Sequence, residues 1–426
     1  MKMEEMLKKT YLFLATLLLP LNAFSLTIDE AVNIALKNNP DIKMVKSKIR
    51  ISDLTKKEKK RSNYGKLLLN GSYTHYNIPR TIAPIVPPLT SPIVTDENIS
   101  SLGISYTVTL FSGFSNIEDI KIASIEKKVA ENYLNLSKAQ VAYNVRSIFL
   151  KILSLQENRK ALSFYITALN RLKTDIKTGI KTGKRAEIDL LKVEAEIEKI
   201  NAEIEKINGN IKILKATLAL LLGKEKIEDK LSPVTLPIKK LPDSFTNTNI
   251  NENPQIKIAE LELEKSKKTV RKIKSSYFPT INFNAYYGKN FGGGESETLW
   301  QVGVSFNWLL YDFGSRKIKV EKALENSSIS KIQIEKTKLS LIKELQEAKA
   351  KILSAKESLK SAEKEVTLTE KVKKIEKVRY ETGAGTIYDL LTAQAKYESA
   401  VSKLINTKYE LLEAIYYMKY VKGEVK

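Results

Sequence analysis

The groups in this chain that could do chemistry are almost all carboxylates and ammonium groups. There is one histidine, His75, and no cysteine. Without cysteine there is no thiol nucleophile, disulfide or Cys-ligated zinc, and a lone histidine among alternating residues gives no support to a catalytic triad or a His-rich metal site. The carboxylates stand mostly on helical stretches with lysine four residues away, as solvated helix faces do. No G-x-x-x-x-G-K-[ST] phosphate loop occurs, so the chain has no nucleotide-driven motor of its own. The expectation is no enzyme, no metal and no cofactor. What stands out is a repeated frame. Thr182-Gly183 is followed after five residues by Asp189-Leu190-Leu191, and Thr382-Gly383 after five residues by Asp389-Leu390-Leu391. Each glycine follows a long helical stretch, where left-handed backbone closes a helix at little cost. Thr386 and Asp389 have capping-box spacing, and an acid in a first turn also suits the helix dipole. Asp189 lacks that cap, because Ala186 stands where Thr386 does. Lys184 and Arg185 make the first turn basic, whereas Gly383-Ala384-Gly385 leaves the second neutral.

These turns must be positioned by long elements. The chain has 426 residues and a formal charge of +22, with its lysines spread along the whole length. No arginine cluster with interleaved aromatics appears, which argues against a nucleic-acid partner. At the N-terminus Lys8 and Lys9 precede a short apolar run that ends in Ala23-Phe24-Ser25, so residues 1–25 read as a secretory signal peptide, with Met6 an alternative start. No stretch is apolar enough for a transmembrane helix.

Beyond the signal the chain reads as two structural repeats, 26–231 and 254–426, joined by a Pro-containing linker at 232–253. Asn39-Pro40-Asp41-Ile42 matches Asn253-Pro254-Gln255-Ile256, and Leu102-Gly103-Ile104-Ser105 matches Val302-Gly303-Val304-Ser305. The first repeat predicts a helix over 41–64, strands over 66–77 and 101–111, a long helix over 115–181 and a helix over 184–222. The second predicts a helix over 255–277, strands over 280–288 and 299–311, a long helix over 315–381 and a helix over 386–422. Gly113, Gly314 and Pro279 mark the corners between strands and helices. The strands alternate apolar and polar residues over about 10 positions, the length of a tilted membrane strand, with Tyr and Trp near their ends. The stretches 79–92 and 289–297 read as the external loops between them. A soluble half-buried sheet would alternate in the same way. Four strands cannot close a membrane barrel alone, but three chains would supply about twelve. The helix after the first turn steps 3,4,3,4 from Leu190 through Val193, Ile197 and Ile200 to Leu221, a coiled-coil seam. Its counterpart keeps the register with smaller residues such as Ala393, Ala400 and Ala414.

The signal peptide, the duplicated strand–strand–long-helix plan, the Leu110-Phe111-Ser112-Gly113 and Leu310-Tyr311-Asp312-Phe313-Gly314 corners and the two Thr-Gly turns together resemble the TolC-like outer-membrane efflux and secretion channels, over residues 26–426. The resemblance implies an α+β membrane protein: a homotrimer with a twelve-stranded outer-membrane β-barrel, four strands per chain, continued by a periplasmic α-helical coiled-coil barrel. It implies a passive exit duct of a tripartite efflux pump or a type I secretion system, in outer-membrane lipid and extending into the periplasm. Its partners would be a periplasmic adaptor and an inner-membrane transporter. Thr182, Gly183, Lys184, Arg185, Thr382, Gly383, Gly385 and Thr386 would meet the adaptor. Asp389, Thr392 and Asp189 would stand at the periplasmic entrance, with three copies of Asp389 narrowing it. Three features depart from the family. Thr392 occupies the place of a second acidic ring, no cysteine is available for lipidation, and Tyr64-Gly65 stands where the second repeat has Phe278-Pro279. The reading from another class is a soluble periplasmic coiled-coil scaffold or adaptor, whose strands form an ordinary sheet.

Overall fold

A computed structural model of the chain describes residues 25–88, 92–234 and 250–425. The expected signal peptide, apart from Ser25, and most of the expected linker lie outside the described residues. The elements in chain order are β1 (Ser25–Leu26), α1 (Ile28–Asn38), α2 (Pro40–Arg61), β2 (Lys66–Thr81), β3 (Thr95–Ser112), α3 (Ser115–Lys181), α4 (Glu187–Leu222), β4 (Lys230–Leu231), α5 (Pro254–Lys274), β5 (Thr280–Gly292), β6 (Glu295–Asn307), α6 (Ser315–Glu381) and α7 (Ile387–Val421). Contacts divide the chain into two compact units, and neither is a sequence repeat. One takes residues 44–136 and 249–340, the other 1–43, 137–248 and 341–426. Each long helix begins in one unit and ends in the other.

In the first of these units, β2, β3, β5 and β6 form an antiparallel meander in that order. The register puts Leu69 opposite Ile104, Ile104 opposite Tyr287 and Tyr287 opposite Trp300, so the apolar residues of all four strands share one face. That face is bare: Leu69 and Trp300 are each 73% exposed and Val304 64%. The other face is a polar ladder, with Asn70 bonded to Ser105 at 2.6 Å, Ser72 to Ser101 at 2.7 Å and Thr109 to Asn282 at 2.9 Å.

Several bounds differ from the sequence expectation. β2 continues through Pro79 to Thr81. It is an edge strand, and its register shifts between His75 and Arg80, so the missing N–H of proline breaks no ladder bond. The loop expected at 289–297 shrinks to Gly293-Gly294, both at positive φ, which is the backbone a two-residue hairpin turn needs. β6 stops at Asn307 because its partner β5 begins at Thr280; beyond it the Trp308 indole donates to the Tyr277 carbonyl at 3.0 Å. Both α2 and α5 end early, each followed by one 3₁₀ turn, Ser62–Tyr64 and Ser275–Tyr277. The first corner needs no proline because Gly65 has φ 83°, which a proline ring forbids; an added Cβ would sit 2.6 Å from the Thr107 carbonyl oxygen. In the second corner Phe278 is extended, as a residue before proline prefers.

The other unit is helical. α1 was not anticipated, although Thr27 and Glu30 form a capping box and Ile28, Ala31, Val32 and Ala35 make its buried stripe. Asn39 accepts from the N–H groups of Asp41 and Ile42, and its amide donates to the Leu221 carbonyl at the end of α4. The α3–α4 pair buries Leu169, Ile176, Val193, Ile197 and Ile200. The α6–α7 pair buries Ala348, Ile352, Ala355, Leu359, Leu411 and Ala414, so small residues line its seam. Ser25 and Leu26 pair in parallel with Lys230 and Leu231, beside the linker.

Candidate functional site: the two helical hairpin tips

Both tips are built by glycine at a helix end. Gly183 has φ 69°, and the Lys184 N–H donates to the Gly179 carbonyl at 2.8 Å; Gly383 has φ 79°, and the Gly385 N–H donates to the Arg379 carbonyl at 2.9 Å. The chain turns extended at Ala186 and Thr386, so the return helices begin at Glu187 and Ile387 rather than at 184 and 386. Thr182 and Thr382 turn their hydroxyls back onto the carbonyls of their own helices.

The two aspartates of the repeated frame do different work. Asp389 completes a capping box: its N–H donates to Thr386 Oγ1 at 3.1 Å, and its Oδ2 accepts from the Thr386 hydroxyl at 2.7 Å and from the Thr386 N–H at 3.3 Å. The Thr386 bonds hold its carboxyl below the ordinary 3.8. The charged cap is therefore fully present above pH 3.8 and is lost as the pH falls through that lowered value. Ala186 offers α4 no such side-chain bond. Asp189 instead accepts a 3.1 Å hydrogen bond from the Tyr380 hydroxyl. Thr392 is half-buried one turn beyond Asp389. Replacing Thr386 with alanine is expected to cost about 1 kcal/mol and to speed amide exchange in the first turn of α7, read by hydrogen exchange.

Tyr380, outside the repeated frame, is the centre of the first tip. It is 4% exposed, near the end of α6, and packs with Ile176, Val193, Ile387 and Leu390. The Arg185 guanidinium lies 4.0 Å over its ring and donates to its carbonyl at 2.9 Å. Burial, reinforced by the Asp189 charge, pushes its hydroxyl up to about 12. Arg185 is thus committed to Tyr380, and of the two expected cations only Lys184 projects freely. The second tip holds an arginine of its own, balanced in charge by a glutamate. Arg379 pairs with Glu376 at 2.9 Å and donates to the Ala384 carbonyl. A common device underlies both tips with its partners exchanged. Arg185 lies against Gly179, where a Cβ would be 2.5 Å from its Cγ, and Arg379 lies against Gly385 at 3.0 Å. The signal was available in the 200-residue offset, which aligns Gly179 with Arg379, Ile180 with Tyr380 and Arg185 with Gly385.

Beside the first tip is a cleft of about 750 Å³, lined by Phe164, Leu172, Ile176 and Leu390 with Arg171, Lys184 and Lys377. Among the described residues no cluster of His, Asp and Glu could hold a metal ion, and no helix is long and apolar enough to cross a membrane.

Residues 247–416 match the family model of the outer membrane efflux protein. Similarity to solved structures extends over the whole fold. VceC from Vibrio cholerae, an outer membrane protein, is 15% identical, with a TM-score of 0.75 over 93% of this chain and 96% of that one. The CmeC outer membrane channel of Campylobacter jejuni is 16% identical, with a TM-score of 0.77 over 93% and 85%. The open MtrE outer membrane channel of Neisseria gonorrhoeae is 14% identical, with a TM-score of 0.74 over 93% and 89%. This is the fold of the outer-membrane efflux channels. No curated protein matches the chain. The family model spans the second half of the chain, from before α5 to within α7. In an efflux-channel fold the glycine-closed tips described above are the helical ends farthest along the chain from the strands.

Proposed function

We propose that the protein is the passive exit duct of a tripartite efflux pump or type I secretion system, working as a homotrimer. The observation that carries this reading is the bare apolar face shared by all four strands. A soluble scaffold would cover such a face with its own helices, whereas lipid covers it in a membrane barrel. The sheet also ends in two unpaired edges, β2 and β6. Open edges are not viable in lipid, and three chains joined edge to edge would close about twelve strands. The tips would be the entrance, opened by a periplasmic adaptor docking on Lys184 and the cleft beside it, with an inner-membrane transporter supplying the energy. Detergent-purified trimers are expected to give discrete conductance steps in planar bilayers. A mature chain that purifies without detergent as a monomer or dimer would sink the reading.

Asp389 would add a ring of three charges at that entrance, since its carboxylate stays ionised at neutral pH. Asp389→Ala is expected to change single-channel conductance and its sensitivity to divalent cations. Thr386→Ala, which weakens the cap but keeps the charge, is expected to leave the cation sensitivity in place. If both substitutions act alike, Asp389 is a cap alone.

A further inference from the structure

We propose that the helix-bearing end of the sheet carries a collar that binds anionic phospholipid headgroups in the leaflet facing the helices; this rests on the strands spanning a membrane. All four helix connections leave the sheet at one end, where Lys66, Ser112, Thr280 and Asn307 stand, and the two hairpins close the other. Both strand-to-helix corners place a phenylalanine there on left-handed backbone and outward. Phe114 has φ 68° and is 58% exposed; Phe313 has φ 53° and is 90% exposed. Each has an aromatic neighbour edge-on, Phe111 at 5.3 Å and Tyr311 at 4.9 Å. The corner sequences order the pair oppositely, Gly113-Phe114 against Phe313-Gly314, yet the outcome is the same. Water gives no reason to hold a large apolar ring outward on a backbone that L residues rarely adopt. The boundary between lipid tails and headgroups does.

Cations converge on the same end. Lys59, Lys60 and Arg61 close α2, Arg271 and Lys274 close α5, and Lys319 stands near the start of α6. The described ion pairs of these helix ends use other cations: Lys57 with Asp53, Lys272 with Asp119, Arg316 with Asp312 and Lys317 with Glu321. The helix dipole accounts for cations at the C-terminal ends of α2 and α5. It disfavours them at the N-terminal end of α6, where Lys317 and Lys319 stand all the same. At about 1.5 Å per helical residue Lys59, Lys60, Arg61, Arg271 and Lys274 lie within roughly 15 Å of the strand ends. Lys319 stands one turn beyond Arg316, whose guanidinium donates to the Ser276 carbonyl just before β5; extended lysines there meet headgroups. A basic cluster directly beside a membrane-spanning element, with aromatic anchors at the same level, fits an anionic lipid surface.

The test titrates delipidated, detergent-solubilised trimer with fluorescent phosphatidylglycerol and, separately, phosphatidylethanolamine. Phosphatidylglycerol is expected to bind about tenfold more tightly at low salt, with the preference falling as salt rises. Changing the six collar cations to glutamine should abolish the preference, and the α2 trio alone, K59Q/K60Q/R61Q, should reduce it. A control that changes Lys181, Lys184, Lys364, Lys371, Lys374 and Lys377 to glutamine, removing the same charge near the tips, should retain it. A preference that survives the six collar changes, or falls equally in the tip control, overturns the proposal. So does a collar variant with altered ion selectivity and intact lipid preference, which would put these cations on the water path. A wild-type trimer that conducts without any lipid preference overturns the collar alone, and one that never conducts overturns the channel reading.

Discussion

Gly113→Ala is expected to destabilise the protein by about 2–5 kcal/mol, and Gly314→Ala by only about 1–2 kcal/mol, although the two glycines stand at equivalent corners. Both have left-handed backbone, with φ 62° and 88°. Adding a Cβ there costs each roughly 1–2 kcal/mol from the backbone alone. The surroundings differ. At Gly113 an added Cβ would run into the Ser275 carbonyl oxygen and lie 2.9 Å from Phe278 Cβ, so α5 or the strand corner must shift. At Gly314 there is open space. The overpacking adds about 1–3 kcal/mol at the first corner only. Thermal dissociation of trimers in detergent would measure it. Equal shifts for the two variants would show that the tight corner relaxes freely.

Tyr380→Ala is expected to loosen the first tip and raise single-channel conductance, at a cost of about 3–5 kcal/mol to that part of the fold. The truncation empties a buried site between α3, α4 and α7, and takes from Asp189 its hydroxyl donor and from Arg185 the ring beneath its guanidinium. Tyr380→Phe keeps the ring and the stacking of Arg185 and loses one hydrogen bond, so a cost near 1 kcal/mol and a small conductance change are expected. The hydroxyl donates only while protonated. Its value is raised, so the stabilisation is present below about pH 10 and lost as the pH rises toward 12. Conductance of the wild type should therefore hold steady to about pH 10, and the phenylalanine variant should lose whatever rise appears above it. Hydrogen exchange across 176–193 would report the loosening directly. An alanine variant with wild-type conductance and protection would remove Tyr380 from the entrance.

Much of the architecture was legible because it is local and periodic. Strand alternation needs only a pleat, and the heptad of Leu190 to Leu221 needs only a helix and a neighbour. The glycines that end α3 and α6 announced their turns because few other residues take left-handed backbone cheaply. The strand ends were not legible. Pro79 reads as a loop residue unless β2 is known to be an edge strand, and Lys289 to Gly292 stay in β5 only because β6 is there to pair with them. Helix α1 lies outside the elements that the strand and heptad periodicities predict, although its Thr27–Glu30 capping box is readable.

The tips divide most clearly between what sequence and tertiary structure decide. Sequence alone determined that Asp189 and Asp389 open return helices after a glycine turn, and that Thr386 would cap the second. It could not say that Asp189 binds Tyr380 or that Arg185 is spent on the same tyrosine. Those are contacts between residues up to about 195 positions apart, and they depend on how four helices pack rather than on any one helix. A cap closes within three residues and is written in them; a clasp exists only where packing brings its two sides together.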